Sequence, residues 1–322
     1  MKPKIFIDGE AGTTGLQIRA RLEGRRDLDF IRLDDAERKN SKKREEALNA
    51  CDLAVLCLPD DAAREAVALV KNPRVRVLDA SSAHRVAPGW VYGLPELAPE
   101  QAGRIAAANR VSNPGCYPTG LILALQPLLR KGLLPKELPI SVNAVSGYTG
   151  GGKSLIDAFE NPTNPKQTPF TAYGLKLEHK HVEEMRVHSG LLQRPIFTPG
   201  YGKYRQGIVL QIPLALWALP KPVTGGELHA ALAEYYARAE YVRVVPPTEM
   251  ESVDKLEPET LNGTNRIDLY VFHNDKHRQA VLAAVYDNLG KGASGAAVQN
   301  MNLMLGLNET GNLDLSKKVA HF

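Results

Sequence analysis

Short apolar runs alternate with amphipathic segments through the first third of the chain. Helical patterns cover residues 13–24, 42–50, 60–70 and 118–130, and the apolar runs between them are "KIFID", "DFIRL", "DLAVLCLP", "VRVLDAS" and "RVSNPG". Strands and helices that alternate at this spacing predict parallel βαβ units, and therefore a doubly wound α/β sheet covered by helices.

The rhythm changes after about residue 135. Longer β-like runs, among them "PISVNAVSG" and "QGIVLQIPLAL", are separated by loops and by a helical pattern at 224–239, which predicts a mixed α+β second domain. The interval 147–175 is rich in Gly, Pro, Asn and Thr and lacks periodicity, so we expect a long functional loop there. Apolar positions at helical spacing over 294–307 predict a helix near the C-terminus.

Composition and charge fit a soluble protein of two domains. The 322 residues are 43% hydrophobic and 24% charged, with a dispersed net charge of +4 that favours anionic small molecules over nucleic acid. The longest apolar candidate, 208–219, is too short for a bilayer and is interrupted by Gln211 and Pro213. Three unclustered cysteines and a short apolar start without the form of a signal peptide predict a cytoplasmic location.

The glycine-rich turn "DGEAGTTG" follows the first predicted strand. Its Gly9, Gly12 and Gly15 permit close approach of backbone N–H groups to a pyrophosphate, and the start of the next helix adds partial positive charge. The spacing is G-x-x-G-x-x-G rather than G-x-G-x-x-G, so the prediction depends on the strand–turn–helix context. The alternative is a turn that only connects strand and helix.

The residues at the end of the second predicted strand do not decide which dinucleotide binds. "IRLDDAERK" supplies Asp34 and Asp35 for a free ribose 2′-OH, but also Arg32, Arg38 and Lys39 for a 2′-phosphate. These residues alone do not separate NAD from NADP.

The stretch "VSNPGCYPTG" places Cys116 in a stiff turn where a helix begins. A helix N-terminus lowers the pKa of a thiol, and the thiolate is the nucleophilic form. Pro118 suits the first helical turn, and Thr119 can satisfy its N–H donors. We expect Cys116 to be a nucleophile, and Cys51 and Cys57 to be small buried hydrophobes. The alternative is that Cys116 is also a small buried hydrophobe with no chemical role.

The segment "LEHKHVEEM" supplies His179 and His181 with Glu184 close behind. Histidine titrates near pH 6.5, so either ring could give a proton to a forming oxyanion and take it back. The alternative is a metal bound by the H-x-H pair and Glu184, but no cysteine cluster completes such a site and we expect no metal. We expect the other histidines, including His84, at the surface.

The segment "SGYTGGGKS" formally matches the phosphate-binding pattern G-x-x-x-x-G-K-S from Gly147 to Ser154. The segment lies after the βαβ units and not at their first strand, where a P-loop would be expected. We therefore expect a flexible loop that lines the substrate site rather than a P-loop.

Together, "SNPGCYPTG", "GLKLEHKHVEEM", "IDGEAGTTG" and "GASGAAVQNMNLMLGL" resemble the N-acetyl-γ-glutamyl-phosphate reductase family, in its shorter subfamily, over nearly the whole chain. The resemblance implies the architecture of glyceraldehyde-3-phosphate dehydrogenase. A Rossmann NADP-binding domain would span 1–115 and be completed by a C-terminal helix at 291–322, and an α+β substrate and oligomerisation domain would span 116–290. It also implies NADPH-dependent reduction of an acyl phosphate to an aldehyde in arginine biosynthesis, by a homodimer or homotetramer with no nucleic-acid or membrane partner.

Individual roles follow from the same resemblance. Cys116 matches the nucleophile and His179 the acid/base residue, with His181 and Glu184 as its companions. Asn300 resembles an asparagine that contacts the nicotinamide carboxamide. The expected cofactor-binding residues are Gly9, Gly12, Thr13, Thr14, Gly15, Ser81 and Asn300, and the expected substrate-binding residues are Arg85, Asn113, Ser146 and Gly147.

The expected chemistry is attack of Cys116 on the γ-acyl phosphate, loss of phosphate to give a thioester, and reduction by NADPH with proton transfer by His179. Asp34 and Asp35 stand where the longer subfamily has a Ser-Arg pair for the 2′-phosphate. Two alternatives stay open: an aspartate-semialdehyde dehydrogenase-like enzyme, and a non-catalytic nucleotide-binding regulator.

Overall fold

The computed structural model describes residues 2–34 and 36–308. The chain divides into two compact units. The first comprises the residues up to Pro114 together with the segment that starts at Ala293, and the second runs from Gly115 to Gly292.

The first unit is built on a parallel sheet. Among its described residues, six strands lie in the order β2-β1-β3-β4-β6-β5, and every pairing is parallel. The strands are β1 (Lys4–Asp8), β2 (Asp29–Ile31), β3 (Leu53–Leu56), β4 (Arg76–Asp79), β5 (Val91–Tyr92) and β6 (Arg110–Ser112). The helices are α1 (Thr13–Leu22), α2 (Ser41–Ala50), α3 (Asp60–Leu69) and α4 (Gln101–Ala107). All four residues of β3 are buried, as is typical of parallel strands covered by crossover helices. The strand order reverses between β1 and β3, where such sheets bind dinucleotides.

The second unit is built on a mixed sheet. Its described residues form seven strands in the order β11-β12-β13-β10-β7-β9-β8. The strands are β7 (Ser141–Gly147), β8 (Phe170–Ala172), β9 (Ile196–Gly202), β10 (Ile208–Ala215), β11 (Val242–Val244), β12 (Ile267–Asn274) and β13 (Gln279–Tyr286). The helices are α5 (Cys116–Arg130), α6 (Lys153–Phe159), α7 (His181–Ser189), α8 (Gly225–Tyr235) and α9 (Pro247–Met250). The predicted combination of a doubly wound α/β sheet with an α+β domain is confirmed.

Helices cover one face of the second sheet. Helix α5 packs on β10 and β13, and α8 packs on β11 and β12. Along β10, buried positions such as Leu210 and Ile212 alternate with exposed Gln211 and Pro213. This period of two is the pattern of a sheet with one face in the core and one face open.

The prediction of a long loop over 147–175 was wrong. This interval contains a 3₁₀ turn, Tyr148–Gly151, as well as α6 and β8. Phe159 is buried at the end of α6 and stacks on Tyr148, with ring centroids 4.7 Å apart and planes at 9°. Tertiary packing of one aromatic side chain therefore supports a helix whose glycine- and proline-rich flanks predict none.

The chain returns to the first unit through a π-helical turn, Gly290–Ser294, and helix α10 (Gly295–Leu305). Helix α10 packs against α1, α4 and β4, and the Arg21 Nε donates to the Ser294 hydroxyl at 2.9 Å. The segment expected at 291–322 therefore contains a shorter helix, and residues 309–322 lie outside the described part of the chain. Within the described ranges, no helix has both the length and the apolar character that crossing a bilayer requires.

Candidate active site

Cys116 is the first residue of α5. Gly115 is the N-cap, in extended backbone with φ −74° and ψ 155°. The Thr119 N–H and hydroxyl both bond to the Gly115 carbonyl, at 3.2 and 2.9 Å. Because glycine has no side chain to cap the helix, the first N–H groups of α5 and the helix dipole are placed to stabilise negative charge on or near the cysteine.

Glu184 fixes the turn that precedes the cysteine. Its carboxylate is buried on α7, and Oε1 accepts a hydrogen bond from the Gly115 N–H at 2.7 Å. A charge-assisted bond of this kind is short and strong. The sequence suggested Glu184 as a companion of the histidines, whereas the structure shows its carboxylate on the backbone of the cysteine turn.

The two histidines lie beside the start of α5. The His181 N–H donates to His179 Nδ1 at 3.2 Å, and the two ring centroids are 4.7 Å apart. A neutral His179 that accepts this bond carries its proton on Nε2, where it can donate to an oxyanion. The Tyr117 ring contacts both rings edge-on, at 6.3 and 5.9 Å between centroids, and Tyr117 directly follows the cysteine.

The metal alternative finds no support in the described residues. Residues 2–34 and 36–308 contain no group of three or more His, Cys, Asp or Glu arranged to hold a metal ion. Glu184, the third ligand considered, bonds to a backbone N–H.

Neutral tyrosine hydroxyls surround this site. The buried Tyr117 hydroxyl donates to the Gly200 carbonyl at 3.3 Å and lies 3.2 Å from the Tyr173 hydroxyl. The Tyr173 ring stacks on Tyr201, with centroids 4.3 Å apart. Burial raises the pKa of each phenol, and a negative charge on Cys116 raises the pKa values of Tyr117 and Tyr201 further. These groups therefore stay protonated near neutral pH.

The two predicted substrate residues of the second unit end β7. Ser146 is fully buried, and its hydroxyl donates to the Gly147 carbonyl at 3.1 Å. The Gly147 N–H donates to the Gly207 carbonyl at 2.9 Å, so it is engaged within this unit. Both residues are therefore engaged within this unit, and Gly147 holds the strand end against a neighbouring segment.

The glycine-rich segment after β7 has the formal P-loop sequence pattern. Its backbone N–H groups, however, are not presented to a phosphate. The N–H groups of Tyr148 and Thr149 donate to backbone carbonyls of Tyr204 and Arg205, at 2.9 and 3.1 Å. A P-loop presents such N–H groups to phosphate. Because the chain's own carbonyls take them here, the structure argues against a P-loop.

In the first unit, the glycine turn is sterically required. A Cβ at Gly9, where φ is +86°, would lie 2.4 Å from a backbone carbonyl oxygen at the end of β3, and a Cβ at Gly15 would lie 2.5 Å from the Gly9 carbonyl oxygen. Gly12 is the N-cap of α1, which begins with Thr13 and Thr14. The turn therefore presents bare backbone and a helix N-terminus, the features that bind a pyrophosphate.

Three other predicted residues form a buried network in this unit. Asn300 Nδ2 donates to Asn113 Oδ1 at 3.0 Å and to the Gly93 carbonyl at 2.8 Å, and the Arg85 Nε donates to the Asn113 carbonyl at 3.0 Å. Among the described residues, the buried Asn300 Oδ1 has no hydrogen-bond partner. Buried polar atoms normally have partners, so this oxygen fits an amide donor such as a nicotinamide carboxamide.

We expected His84 at the surface, but its side chain is mostly buried. Its place in this unit was therefore missed from the sequence alone. Its Nδ1 lies 2.6 Å from an oxygen of the fully buried Asp79, and its ring stacks on Trp90 with centroids 4.1 Å apart. Asp79 also accepts from the Ser81 N–H and hydroxyl, at 2.9 and 2.7 Å. The signal available in the sequence was a carboxylate at a buried strand end, five residues before the histidine.

A cavity of about 200 Å³ lies beside the glycine turn, and Arg38 and Arg44 are among its lining residues. Arg44 forms a partly buried ion pair with Asp8, with Nη2 and Oδ2 2.8 Å apart. Asp8 and Glu10 also line the cavity, so both signs of charge are present at the end of the strands where a dinucleotide would place its ribose.

Comparison with known proteins adds two kinds of match. The family model described as the semialdehyde dehydrogenase NAD binding domain matches residues 7–105, and the semialdehyde dehydrogenase dimerisation domain matches residues 116–288. The N-acetyl-gamma-glutamyl-phosphate reductase of Burkholderia lata is 57% identical over 305 residues, which cover 95% of this chain and 97% of that protein. N-acetyl-gamma-glutamyl-phosphate reductase 2 of Nostoc sp. is 52% identical over 316 residues, covering 96% and 98%.

Solved structures share the fold at much lower identity. Aspartate semialdehyde dehydrogenase II of Vibrio cholerae, complexed with ASA, matches with a TM-score of 0.70 and 16% identity, covering 95% of this chain and 99% of that one. The aspartate semialdehyde dehydrogenase of Francisella tularensis matches with a TM-score of 0.69 and 13% identity, covering 95% and 100%.

Proposed function

This chain belongs to the semialdehyde dehydrogenase family and to its N-acetyl-γ-glutamyl-phosphate reductases, and from that premise we propose the roles of its site residues. The reaction reduces N-acetyl-γ-glutamyl phosphate to N-acetylglutamate γ-semialdehyde with release of phosphate, in arginine biosynthesis. The observation that carries the proposal is Cys116 at the uncapped start of α5, with Glu184 on its turn and the histidine pair beside it.

Cys116 acts first. Its thiolate attacks the γ-carbonyl carbon, a carbon–sulfur bond forms, and phosphate leaves with the electron pair of the carbon–oxygen bond. The product is a thioester that retains the acyl group on the protein. Covalent capture divides one difficult reduction into two easier steps, and the first N–H groups of α5 stabilise the oxyanion that forms on the way.

His179 handles the proton. When bound, the reduced nicotinamide cofactor supplies the hydride that converts the thioester to the oxidation level of a thiohemiacetal. The Nε2–H of His179 protonates the oxyanion of that species. The same nitrogen takes the proton back as the carbon–sulfur bond breaks, which releases the aldehyde and restores the thiolate. None of these steps needs a metal ion.

We propose NADP as the cofactor, held by the turn at Gly9 and by the Asn300 network. The Asp34 Oδ1 accepts from the N–H groups of Ala36 and Glu37, at 3.0 and 2.8 Å, so one carboxylate oxygen is engaged by the backbone that follows instead of by a ribose. Arg38 lines the cavity beside the glycine turn and suits a 2′-phosphate. Asp35 lies outside the described residues.

The second unit supports assembly. It matches a dimerisation domain, and its sheet has one face that helices leave open. We propose that this face joins two copies of the chain, giving a homodimer or a homotetramer built from such dimers. We also place the enzyme in the cytoplasm, where its small-molecule substrate and reduced cofactor are available.

The reverse reaction tests the function, because acyl phosphates are labile. Folded protein is mixed with N-acetylglutamate γ-semialdehyde, phosphate and either NADP or NAD, and absorbance of the reduced nicotinamide is followed. We expect reduction of NADP, and the absence of signal with both cofactors would refute the function. Aspartate semialdehyde in place of the acetylated substrate tests the sibling activity.

A substitution in the cavity tests the cofactor. Arg38→Ser should raise the KM for NADP about tenfold while changing that for NAD little, since one charge-assisted contact is lost. Arg32→Ser is the matched control, because Arg32 is exposed and does not line the cavity. Equal effects of the two substitutions would contradict the assignment of Arg38.

A further inference from the structure

Tyr286 lies against the first turn of the nucleophile's helix. It is the last residue of β13 and is fully buried. Its hydroxyl donates to the Cys116 carbonyl oxygen at 2.7 Å. In a regular α-helix, the N–H of residue 120 bonds to the carbonyl of residue 116. The tyrosine hydroxyl is therefore an additional donor to a carbonyl in the first turn of α5.

Gly120 is what admits this ring. A Cβ at Gly120 would lie 2.7 Å from both the hydroxyl oxygen and Cε1 of Tyr286, closer than packed atoms tolerate. This accounts for the last residue of the motif "GCYPTG". A glycine in the middle of a helix costs about 0.5–1 kcal/mol relative to alanine, so its presence indicates a specific requirement.

The segment after Tyr286 also touches the cysteine. A Cβ at Gly292 would lie 3.0 Å from the Cys116 Cβ, so this glycine borders the nucleophile's side chain. Asp287 is fully buried and holds the segment: its carbonyl accepts the N–H groups of Gly290 and Gly292, both at 3.1 Å. Its carboxylate accepts the Gly263 N–H at 2.8 Å. A hydrogen-bonded segment that is distant in sequence therefore borders Cys116.

We propose that Tyr286, together with Gly292, is a positioning residue for the Cys116 nucleophile. The hydroxyl fixes the peptide plane that follows the Cys116 Cα, and Gly292 packs against the Cys116 Cβ. The sulfur and the first N–H groups of α5 thereby keep the geometry that acyl transfer requires. This inference rests on the proposed function, in which Cys116 is the nucleophile.

The same helix supplies a matched control. Tyr236 is buried, and its hydroxyl donates to the Leu123 carbonyl of α5 at 2.8 Å, about two turns beyond the cysteine. Tyr286→Phe and Tyr236→Phe each remove one hydroxyl that donates to a carbonyl of α5. A purely structural role predicts equal effects of the two variants, whereas a positioning role predicts unequal ones.

The test compares kcat, KM and melting temperature in the reverse assay. We expect Tyr286→Phe to lower kcat about tenfold to a hundredfold with KM nearly unchanged, because a misplaced nucleophile affects the reacting state rather than substrate binding. Tyr236→Phe should keep kcat within about threefold, while both variants lower the melting temperature by a similar amount, on the order of 3 °C.

A second variant, at Gly292, also tests whether the position of Cys116 affects turnover. Gly292→Ala adds a methyl group beside the Cys116 Cβ without touching the tyrosine hydroxyl, and it should lower kcat in the same way. Wild-type kcat in both Tyr286→Phe and Gly292→Ala, or equal losses in the two tyrosine variants, would overturn the inference. If the wild-type protein itself does not turn over, the proposed function fails instead.

Discussion

Cys116 differs from the other two cysteines in its surroundings. Cys51 is buried, and its thiol bonds to the Leu48 carbonyl at 3.4 Å. Burial raises the pKa of Cys51 to about 12. Cys57 was expected to be buried but is half-buried, and desolvation together with Asp79 raises the pKa of its thiol. Neither position has an uncapped helix start such as that of Cys116, a setting that favours the thiolate form of a cysteine.

Selective alkylation follows from this difference. At pH 7–9, below the raised pKa values of Cys51 and Cys57, those thiols stay protonated and react slowly, so iodoacetamide should label Cys116 first. Peptide mapping by mass spectrometry after short exposures measures the order. Labelling of Cys116 no faster than that of Cys51 in folded protein would count against a catalytic thiolate.

The two histidines should contribute unequally. His179→Asn removes the proposed acid and should lower kcat by about 10²- to 10⁴-fold. His181→Asn retains the backbone N–H that bonds to His179 Nδ1, so its effect should be below about tenfold. Steady-state kinetics of both variants measure this, and a larger loss in His181→Asn would transfer the proton role to His181.

The residues that the sequence pattern could not place are those held by distant partners. The motif around Cys116 identified the nucleophile candidate from neighbouring residues alone. Glu184 bonds to Gly115 across 69 positions, and Tyr286 bonds to Cys116 across 170. Such contacts exist only after the sheet has formed, so local spacing carries no signal for them.

At the scale of elements, strands were predictable where apolar residues form an almost continuous run. The apolar runs in the sequence of the first unit correspond to β1 to β4 and β6. Strand β9 was missed because "IFTPGYG" contains a proline and two glycines, which are depleted in strands. Helix α6 was missed because packing of Phe159 on Tyr148, and not local propensity, supports it.

Two helical glycines should respond oppositely to alanine. Gly120→Ala brings a methyl group against Tyr286 and should destabilise the protein by about 1–3 kcal/mol, despite alanine's better helix propensity. Gly103→Ala, in α4, meets no atom within 4 Å among the described residues and should stabilise by up to about 1 kcal/mol. Urea unfolding of both variants measures the two changes.

A stabilised Gly120→Ala would contradict the tight packing of Tyr286 on α5. A destabilised Gly103→Ala would show that α4 responds to something other than propensity. Because both substitutions add one methyl group to a helix, the comparison isolates the role of the neighbouring side chain.

At the scale of the whole molecule, our proposal is that the open face of the second sheet determines assembly. Side chains at adjacent register positions share a face, and Gln211 on β10 pairs through Ala283 on β13 with Tyr270 on β12. Phe272 lies two residues beyond Tyr270 on the same face and stacks on it, with centroids 5.5 Å apart. An aromatic pair on a half-buried sheet face is typical of an interface.

A charge on this face should separate the copies. Phe272→Arg should shift the solution mass toward the monomer, since an unpaired charge at an apolar interface is costly. Val187→Arg is the control, because Val187 is exposed on α7. Light scattering after size-exclusion chromatography measures both, and an unchanged oligomer in Phe272→Arg would exclude this face as the contact between copies.

The covalent role of Cys116 is tested most directly by running the reverse reaction without phosphate. Oxidation of the semialdehyde by NADP then ends at the thioester, because the nucleophile that releases the acyl group is absent. We predict a burst of one reduced cofactor per active site, an N-acetylglutamyl mass increase on the peptide that contains Cys116, and sustained turnover when phosphate is added. A burst of the same size in Cys116→Ser, or an acyl group on another residue, would contradict the account.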